Sequence, residues 1–226
     1  MKMLVIAAHP DDEVLGCGAT MARYSREGHQ ISVAILGEGI TSRYAERDQA
    51  GEDELNKLRA CSERAAHLIG VHELLTYSFP DNRFDTVPLL DLVKTVEELV
   101  GRVKPATVFC HHGGDLNIDH TLVFRAVMTA LRTIPGQSVK KLYTYEVPSS
   151  TEWSFQKMTP VFTPNTFFEV GETLETKLAA MQIYEGEARE FPHPRSAQAL
   201  RAIAERWGSV AGVAAAEAFE LIREVC

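Results

Sequence analysis

Apolar runs and amphipathic stretches alternate along the first two thirds of the chain. Met3 to Ala8 is a continuous apolar run, the pattern of a strand buried on both faces of a parallel sheet. Asp11, Asp12 and Glu13 suit the first turn of a helix, where carboxylates meet the positive end of the helix dipole. That helix is expected to reach about Glu27 and stop at Gly28. Gln30 to Leu36 reads as a second strand, closed by Gly37-Glu38-Gly39. Residues 44–69 carry Leu55, Leu58, Cys61, Ala65 and Leu68 at helical spacing and end at Gly70. A short strand over Leu74–Phe79, a loop at Pro80-Asp81-Asn82 and an amphipathic helix over Val87–Val103 follow. The spacing then predicts a strand over Pro105–Cys110, a helix over 119–132 and a strand over Lys141–Val147.

Strands alternating with helices make βαβ units, so the expected fold class is α/β. Its form is a Rossmann-like, doubly wound, mostly parallel sheet. After Pro148 the rhythm changes to a strand-like TFFEV at 166–170 and helices near 172–187, 195–207 and 211–224. The expected organisation is a core over 1–150 and a small C-terminal helical appendage over 151–226, packed together as one domain.

Composition narrows the function classes. With 45% hydrophobic and 24% charged residues over 226 positions, the chain can bury a sizeable core. The net charge of -8 argues against a nucleic-acid partner, because neutralising phosphates takes clustered Lys and Arg. The apolar start is interrupted at His9-Pro10-Asp11, too early for a signal-peptide core or a membrane span. Cys17, Cys61, Cys110 and Cys226 are scattered, the usage of reduced thiols in a cytoplasmic protein.

Two constellations carry chemistry. The first, A-H-P-D-D-E at 8–13, sits at the carboxyl end of the first strand, where open α/β folds bind ligands. His9 offers an imidazole nitrogen and Asp12 a carboxylate oxygen, both ordinary zinc ligands, and Pro10 stiffens the turn between them. Asp11 is left over, placed to act as a base toward a water on a metal. The bland reading makes these acids helix caps and His9 a turn histidine.

The second, H-H-G-G-D-L-N-I-D-H at 111–120, follows the fourth strand. In the doubly wound order the first and fourth strands are neighbours, so the two loops face each other. His120 then completes a His-Asp-His set with one position open for water. Asp119 has two readings, orienting a ligating imidazole or capping the helix; Asp115 and Asn117 also read as loop and N-cap residues. His111 and His112 could each stabilise an oxyanion or protonate a leaving amine; one of them is expected to be a structural partner, and the sequence does not choose between them.

Together these motifs resemble the LmbE-like, or PIG-L, family of de-N-acetylases. The resemblance rests on A-H-P-D-D-E at 8–13 and D-H at 119–120, covers the chain to about residue 150, and extends to F-P-H-P-R-S at 191–196. It implies zinc ligands His9, Asp12 and His120, with Asp11 as general base. It also implies an N-acetylglucosamine-type substrate or its conjugate, cleaved to a free amine and acetate. Some members carry H-x-D-H where this chain has Asn117-Ile118-Asp119-His120. Asn117 can donate to an oxyanion but cannot carry a proton, which leaves the acid role to Asp11 or His112. Another divalent ion such as Fe2+ suits the same donors.

Arg43, in the loop after the second strand, and Asp81 and Asn82, after the third, share the rim of the metal site and are candidate substrate contacts. His193 and Arg195 lie in a proline-stiffened loop expected to cover it. The aromatic, helical C-terminal third leads us to expect a homo-oligomer. Three competing classes follow from the same residues. One is an amidase for a thiol conjugate or antibiotic intermediate, and another a metal-binding protein without catalysis. The third is a nucleotide-binding module suggested by Gly16-Cys17-Gly18, which fits poorly because Met21 stands where G-x-G-x-x-G needs glycine. No G-x-S-x-G elbow supports a serine hydrolase.

Overall fold

A computed structural model describes residues 1–226. The first part of the chain runs β1 (Lys2–Ala7), α1 (Asp12–Arg26), β2 (Gln30–Gly37), α2 (Glu52–Ile69), β3 (Glu73–Phe79), α3 (Leu89–Val103), β4 (Thr107–His111), α4 (Ile118–Ala130) and β5 (Lys141–Tyr145). The remainder adds β6 (Thr166–Glu169), α5 (Leu174–Ile183), α6 (Ala197–Ala211) and β7 (Ala216–Glu224). All seven strands form one sheet in the order β3-β2-β1-β4-β5-β7-β6. Strands β1 to β5 are parallel, and β7 runs antiparallel to both neighbours. The Rossmann-like reading holds.

Alternation along the strands divides the core. Met3, Val5 and Ala7 of β1 face α1, α2, α5 and α6. Leu4 and Ile6, followed by Ala8, face α3 and α4. Burial on both faces is why these strands read as unbroken apolar runs.

Two expectations need correction. Where a helix was expected over 211–224, Ala216–Glu224 form β7. Ala, Glu, Leu and Arg favour helix, but this segment alternates Glu217, Phe219 and Leu221 on one face with Ala218 and Glu220 on the other. It also pairs with β5 on one side and β6 on the other. Two ladders of backbone hydrogen bonds and a buried Phe219 outweigh a weak propensity. The long helix expected over 44–69 begins only at Glu52, and residues before it form short 3-10 turns at Thr41–Arg43 and Arg47–Gln49.

Helix α1 is broken at Cys17, whose φ of -147° and ψ of 25° are non-helical. Gly16 admits the ring of Tyr145 there; a Cβ at Gly16 would come within 2.3 Å of it. The glycine pair thus serves close packing rather than phosphate binding. A buried ion pair takes up the backbone groups around the break. Lys177 donates to the Leu15 carbonyl at 2.7 Å, and Glu217 accepts from the amides of Ala19 (3.2 Å) and Thr20 (2.7 Å). Lys177 and Glu217 meet at 2.6 Å. The second half of the chain therefore fixes the helix that carries Asp12. No helix is long and apolar enough to cross a membrane.

Candidate active site

The carboxyl ends of β1 and β4 lie side by side, and side chains prolong their pairing. Backbone pairing runs from Met3–Thr107 to Val5–Phe109, and beyond it the Ala8 amide donates to His111 Nε2 at 2.8 Å. That bond fixes the start of the His9–Asp12 turn against the end of β4. Asp12 heads α1, and His120 lies in the first turn of α4.

Asp12 Oδ2 accepts the His9 amide at 2.8 Å and lies 3.3 Å from His9 Nδ1 and 3.2 Å from His120 Nε2. His120 is buried; its Nε2 faces Asp12 Oδ2 and its Nδ1 faces Asp115 Oδ1, neither contact with the geometry of a hydrogen bond. A bare imidazole nitrogen facing a carboxylate oxygen is unfavourable unless something positive sits between them. Zinc–ligand bonds of about 2.0–2.2 Å imply tetrahedral edges of roughly 3.3–3.6 Å, close to the spacings seen. The donors of His9, Asp12 and His120 all fall within 4.8 Å of one another. The three residues fit a divalent cation.

Each histidine of the set has its own carboxylate. His9 Nε2 donates to Asp119 Oδ2 at 2.9 Å, leaving the Nδ1 lone pair free; Asp119 Oδ1 accepts the Phe84 amide at 3.0 Å. Asp81 Oδ1 also lies 3.3 Å from His9 Nε2. His120 Nδ1 lies 3.1 Å from Asp115 Oδ1. Asp115 is fully buried and accepts from Ser150, from Thr151 Oγ1 at 2.5 Å and from the Asn117 amide at 2.9 Å. Of the two readings of Asp119, the imidazole partner is what the structure has. The cap is Asn117, whose side chain accepts the Asp119 amide at 2.9 Å.

The electrostatics follow from this packing. Burial alone would raise Asp12, but His120 and His111 hold its carboxyl well below the usual range. Burial lowers His120 and is outweighed by Asp12 and Asp115, which push it up to about 9. Burial raises Asp11 well above the ordinary carboxylate range, against the pull of Arg195, with Asp12 and Glu187 adding to the rise. His111 is driven well below its ordinary value by burial and by His120, whose ring stacks on it at 3.9 Å.

An open cleft lies over these groups, lined by His9, Asp11, Asp12, Asp81, Asn82, Asn117, His120, Arg43 and Arg195 among others. Ile40 and Leu58 are its only hydrophobic lining residues. Asn117 Nδ2 donates to Asn82 Oδ1 at 2.8 Å, and the Ser42 amide donates to Asp81 Oδ2 at 3.0 Å. The loops after β2, β3 and β4 are thereby tied into one rim.

Two expected site residues are not brought to the cleft. His112 is buried elsewhere, its Nδ1 3.0 Å from Glu220 Oε2 and its Nε2 2.7 Å from the Pro160 carbonyl. With both nitrogens engaged and no face on the cleft, it is a structural partner, and the acid–base role expected of it is corrected. His193 packs edge-on against Trp153, and its Nδ1 accepts the Arg195 amide at 3.1 Å. It supports the loop; Arg195 enters the cleft.

Sequence reasoning missed Asp115 as an imidazole partner, although the residue stands inside the second motif. It also missed Glu187, which pairs with Arg43 and, at 3.1 Å, with Arg195, and Ser149, which accepts from Arg195 Nε at 2.8 Å. No local pattern marks these last two. Their role arises from the way the C-terminal segment returns over the cleft.

Known proteins are similar to this chain in sequence and in fold. Residues 4–131 match the family described as GlcNAc-PI de-N-acetylase, PIG-L. The uncharacterized deacetylase YaiS of Escherichia coli (strain K12) is 31% identical over 186 residues, covering 80% of this chain and 88% of that protein. The N,N'-diacetylchitobiose deacetylase of Pyrococcus horikoshii superposes with a TM-score of 0.78 at 19% identity, over 98% of this chain and 84% of its own. So does the 4-carboxy-2-hydroxymuconate hydratase GalB of Pseudomonas putida KT2440, at 0.78 and 20% identity, over 100% and 98%. A hydratase and a deacetylase on one fold show that architecture alone does not choose the reaction. The family match over more than half the chain, with A-H-P-D-D-E inside it, does assign kinship: this chain belongs to the PIG-L family of de-N-acetylases.

Proposed function

We propose that the protein is a divalent-metal-dependent hydrolase that removes the N-acetyl group from an N-acetylglucosamine-type amino sugar or its conjugate. The observation that carries this reading is the convergence of the bare His120 Nε2, His9 Nδ1 and Asp12 Oδ2 beside Asp11, in a cleft lined almost wholly by polar groups. A polar lining suits a polyhydroxylated ligand, and the family's description and the name of the Pyrococcus enzyme both refer to N-acetylglucosamine units.

His9, Asp12 and His120 would hold the cation, Zn2+ in this reading. When bound it supplies Lewis acidity toward the amide carbonyl and the attacking water. Asp119 and Asp115 fix the two imidazoles so that the ligating nitrogens face inward. Arg195 engages Asp11 Oδ2 at 2.7 Å, leaving Oδ1 outside that ion pair to take a proton from water. The water oxygen attacks the acetyl carbon, and the C–N bond then breaks. The departing nitrogen takes a proton from the same Asp11 carboxyl, whose buried setting favours the protonated form between the two transfers. Asn117, on the cleft wall, serves as a side-chain donor to the developing oxyanion. Products are the free amine and acetate.

The test is to incubate metal-loaded protein with free and glycosidically linked N-acetylglucosamine derivatives and measure new primary amine and acetate. Release that a chelator abolishes and added cation restores is the expected result. No release from any of them sinks the proposal.

A further inference from the structure

Asp11 adopts a backbone conformation that its side chain does not favour. Its φ is 104° and ψ -26°, a region that non-glycine residues occupy only where their surroundings hold them. Its backbone amide has one acceptor, Glu13 Oε2, at 3.0 Å. The other oxygen of Glu13 accepts from the Tyr184 hydroxyl at 2.6 Å. Glu13 and Tyr184 are both buried, at 4% and 1% exposure, and neither lines the cleft. The same Tyr184 fixes the opposite side of the site. Its carbonyl accepts the amides of Glu187 (2.8 Å) and Ala188 (2.9 Å), and Glu187 in turn meets Arg195, the partner of the Asp11 side chain.

We infer that Glu13 and Tyr184 are a positioning pair that holds Asp11 in its strained conformation and so aims its carboxylate into the cleft. The inference rests on the proposed role of Asp11 in proton transfer. Without the Glu13 acceptor, the Asp11 amide would be buried without a partner, which is costly. Relaxing to an ordinary conformation relieves both the strain and that cost, and swings the side chain away from the reacting atoms. Misplacement on the scale of 1 Å costs roughly a hundredfold in rate. Asp12 has its own anchor in the His9 amide, so the metal ligands stay in place when Glu13 changes.

The experiment compares wild type with Glu13→Ala, Glu13→Gln and Tyr184→Phe. The readouts are kcat and KM separately, bound metal, melting temperature, and exchange of the Asp11 amide proton by NMR. Glu13→Ala is expected to lose roughly tenfold to a hundredfold in kcat with KM within about twofold, to keep full metal, and to exchange the Asp11 amide at least about tenfold faster. Glu13→Gln keeps a carbonyl acceptor for that amide and is expected to restore both kcat and slow exchange. Tyr184→Phe, which leaves the backbone intact and removes one hydroxyl, is expected to show a smaller kcat loss and guards against misfolding of the alanine variant. Wild-type kcat in Glu13→Ala, or a loss that tracks bound metal, overturns the positioning role. An inactive wild type overturns the deacetylase reading instead, and the two failures are told apart because the first requires an active parent.

Discussion

Asp11 and Arg195, 184 residues apart in the chain, meet at 2.7 Å over the cleft. The contact joins the turn that carries His9 and Asp12 to the loop before α6. Arg195 also reaches Ser149 and Glu187, so one guanidinium binds three segments around the candidate base.

Asp11→Asn keeps the shape and removes the proton acceptor. It is expected to bind metal stoichiometrically and to lose roughly a hundredfold to ten-thousandfold in kcat. Metal analysis beside an amine-release assay checks both halves. Undiminished turnover would remove Asp11 from the mechanism.

Arg195→Ala frees Asp11 Oδ2 and leaves Glu187 to Arg43 alone. A fall of roughly tenfold to a hundredfold in kcat/KM is expected. Arg195→Lys is expected to recover little of it, because a single ammonium cannot reproduce a guanidinium's planar contacts to Asp11, Glu187 and Ser149. Steady-state kinetics on the three proteins decides.

Removing metal should reveal the site without any substrate. A ligand at a hundred times its Kd stabilises the folded state by about 2.7 kcal/mol, which for a chain of this size means roughly 5–10 °C in Tm. Zn2+ added to chelated wild type should give such a shift and His120→Ala should not. Equal shifts in both place the cation elsewhere.

Lys177→Met strands the buried Glu217 carboxylate and the Leu15 carbonyl at the break in α1. Removing one partner of a buried ion pair costs about 3–5 kcal/mol, so the urea midpoint should drop well below wild type. The double variant Lys177→Met, Glu217→Gln, which removes the stranded charge but keeps an acceptor for the Ala19 and Thr20 amides, should recover part of the loss. An unchanged midpoint would show that the pair is not needed to hold the broken helix.

Glu220 ties β7 to the neighbouring loop. Burial alone would raise its carboxyl, but His112 and the Thr163 amide hold it below the ordinary value. A depressed folded pKa means stability that is present above the unfolded pKa and lost as pH falls through the folded one. Glu220→Gln should therefore lower Tm at pH 7 and converge with wild type in acid. A Tm difference that does not shrink as pH falls would contradict that assignment.

Much of the site was legible before any fold was known. Apolar runs marked β1 to β5, and the strand-order rule brought A-H-P-D-D-E and the 111–120 segment together at neighbouring strand ends. Residue chemistry then singled out His9, Asp12 and His120. Periodicity misled where composition and tertiary context disagreed. In 211–224 the residues favour helix, yet the segment pairs between β5 and β6, and pairing partners far away in sequence leave no local trace. His112 shows the same limit on a single residue, since its engagement by Glu220 and Pro160 depends on where β7 lies.

The sequence by itself determined the alternation of strands and helices and singled out the candidate metal ligands and the candidate base, because these depend on spacings of a few residues and on strand order. The tertiary structure decided which carboxylate serves which histidine, which of the paired histidines leaves the cleft, and how Arg195, Glu187 and Tyr184 close around Asp11. Those contacts span up to 184 residues, and only the path of the folded chain sets them.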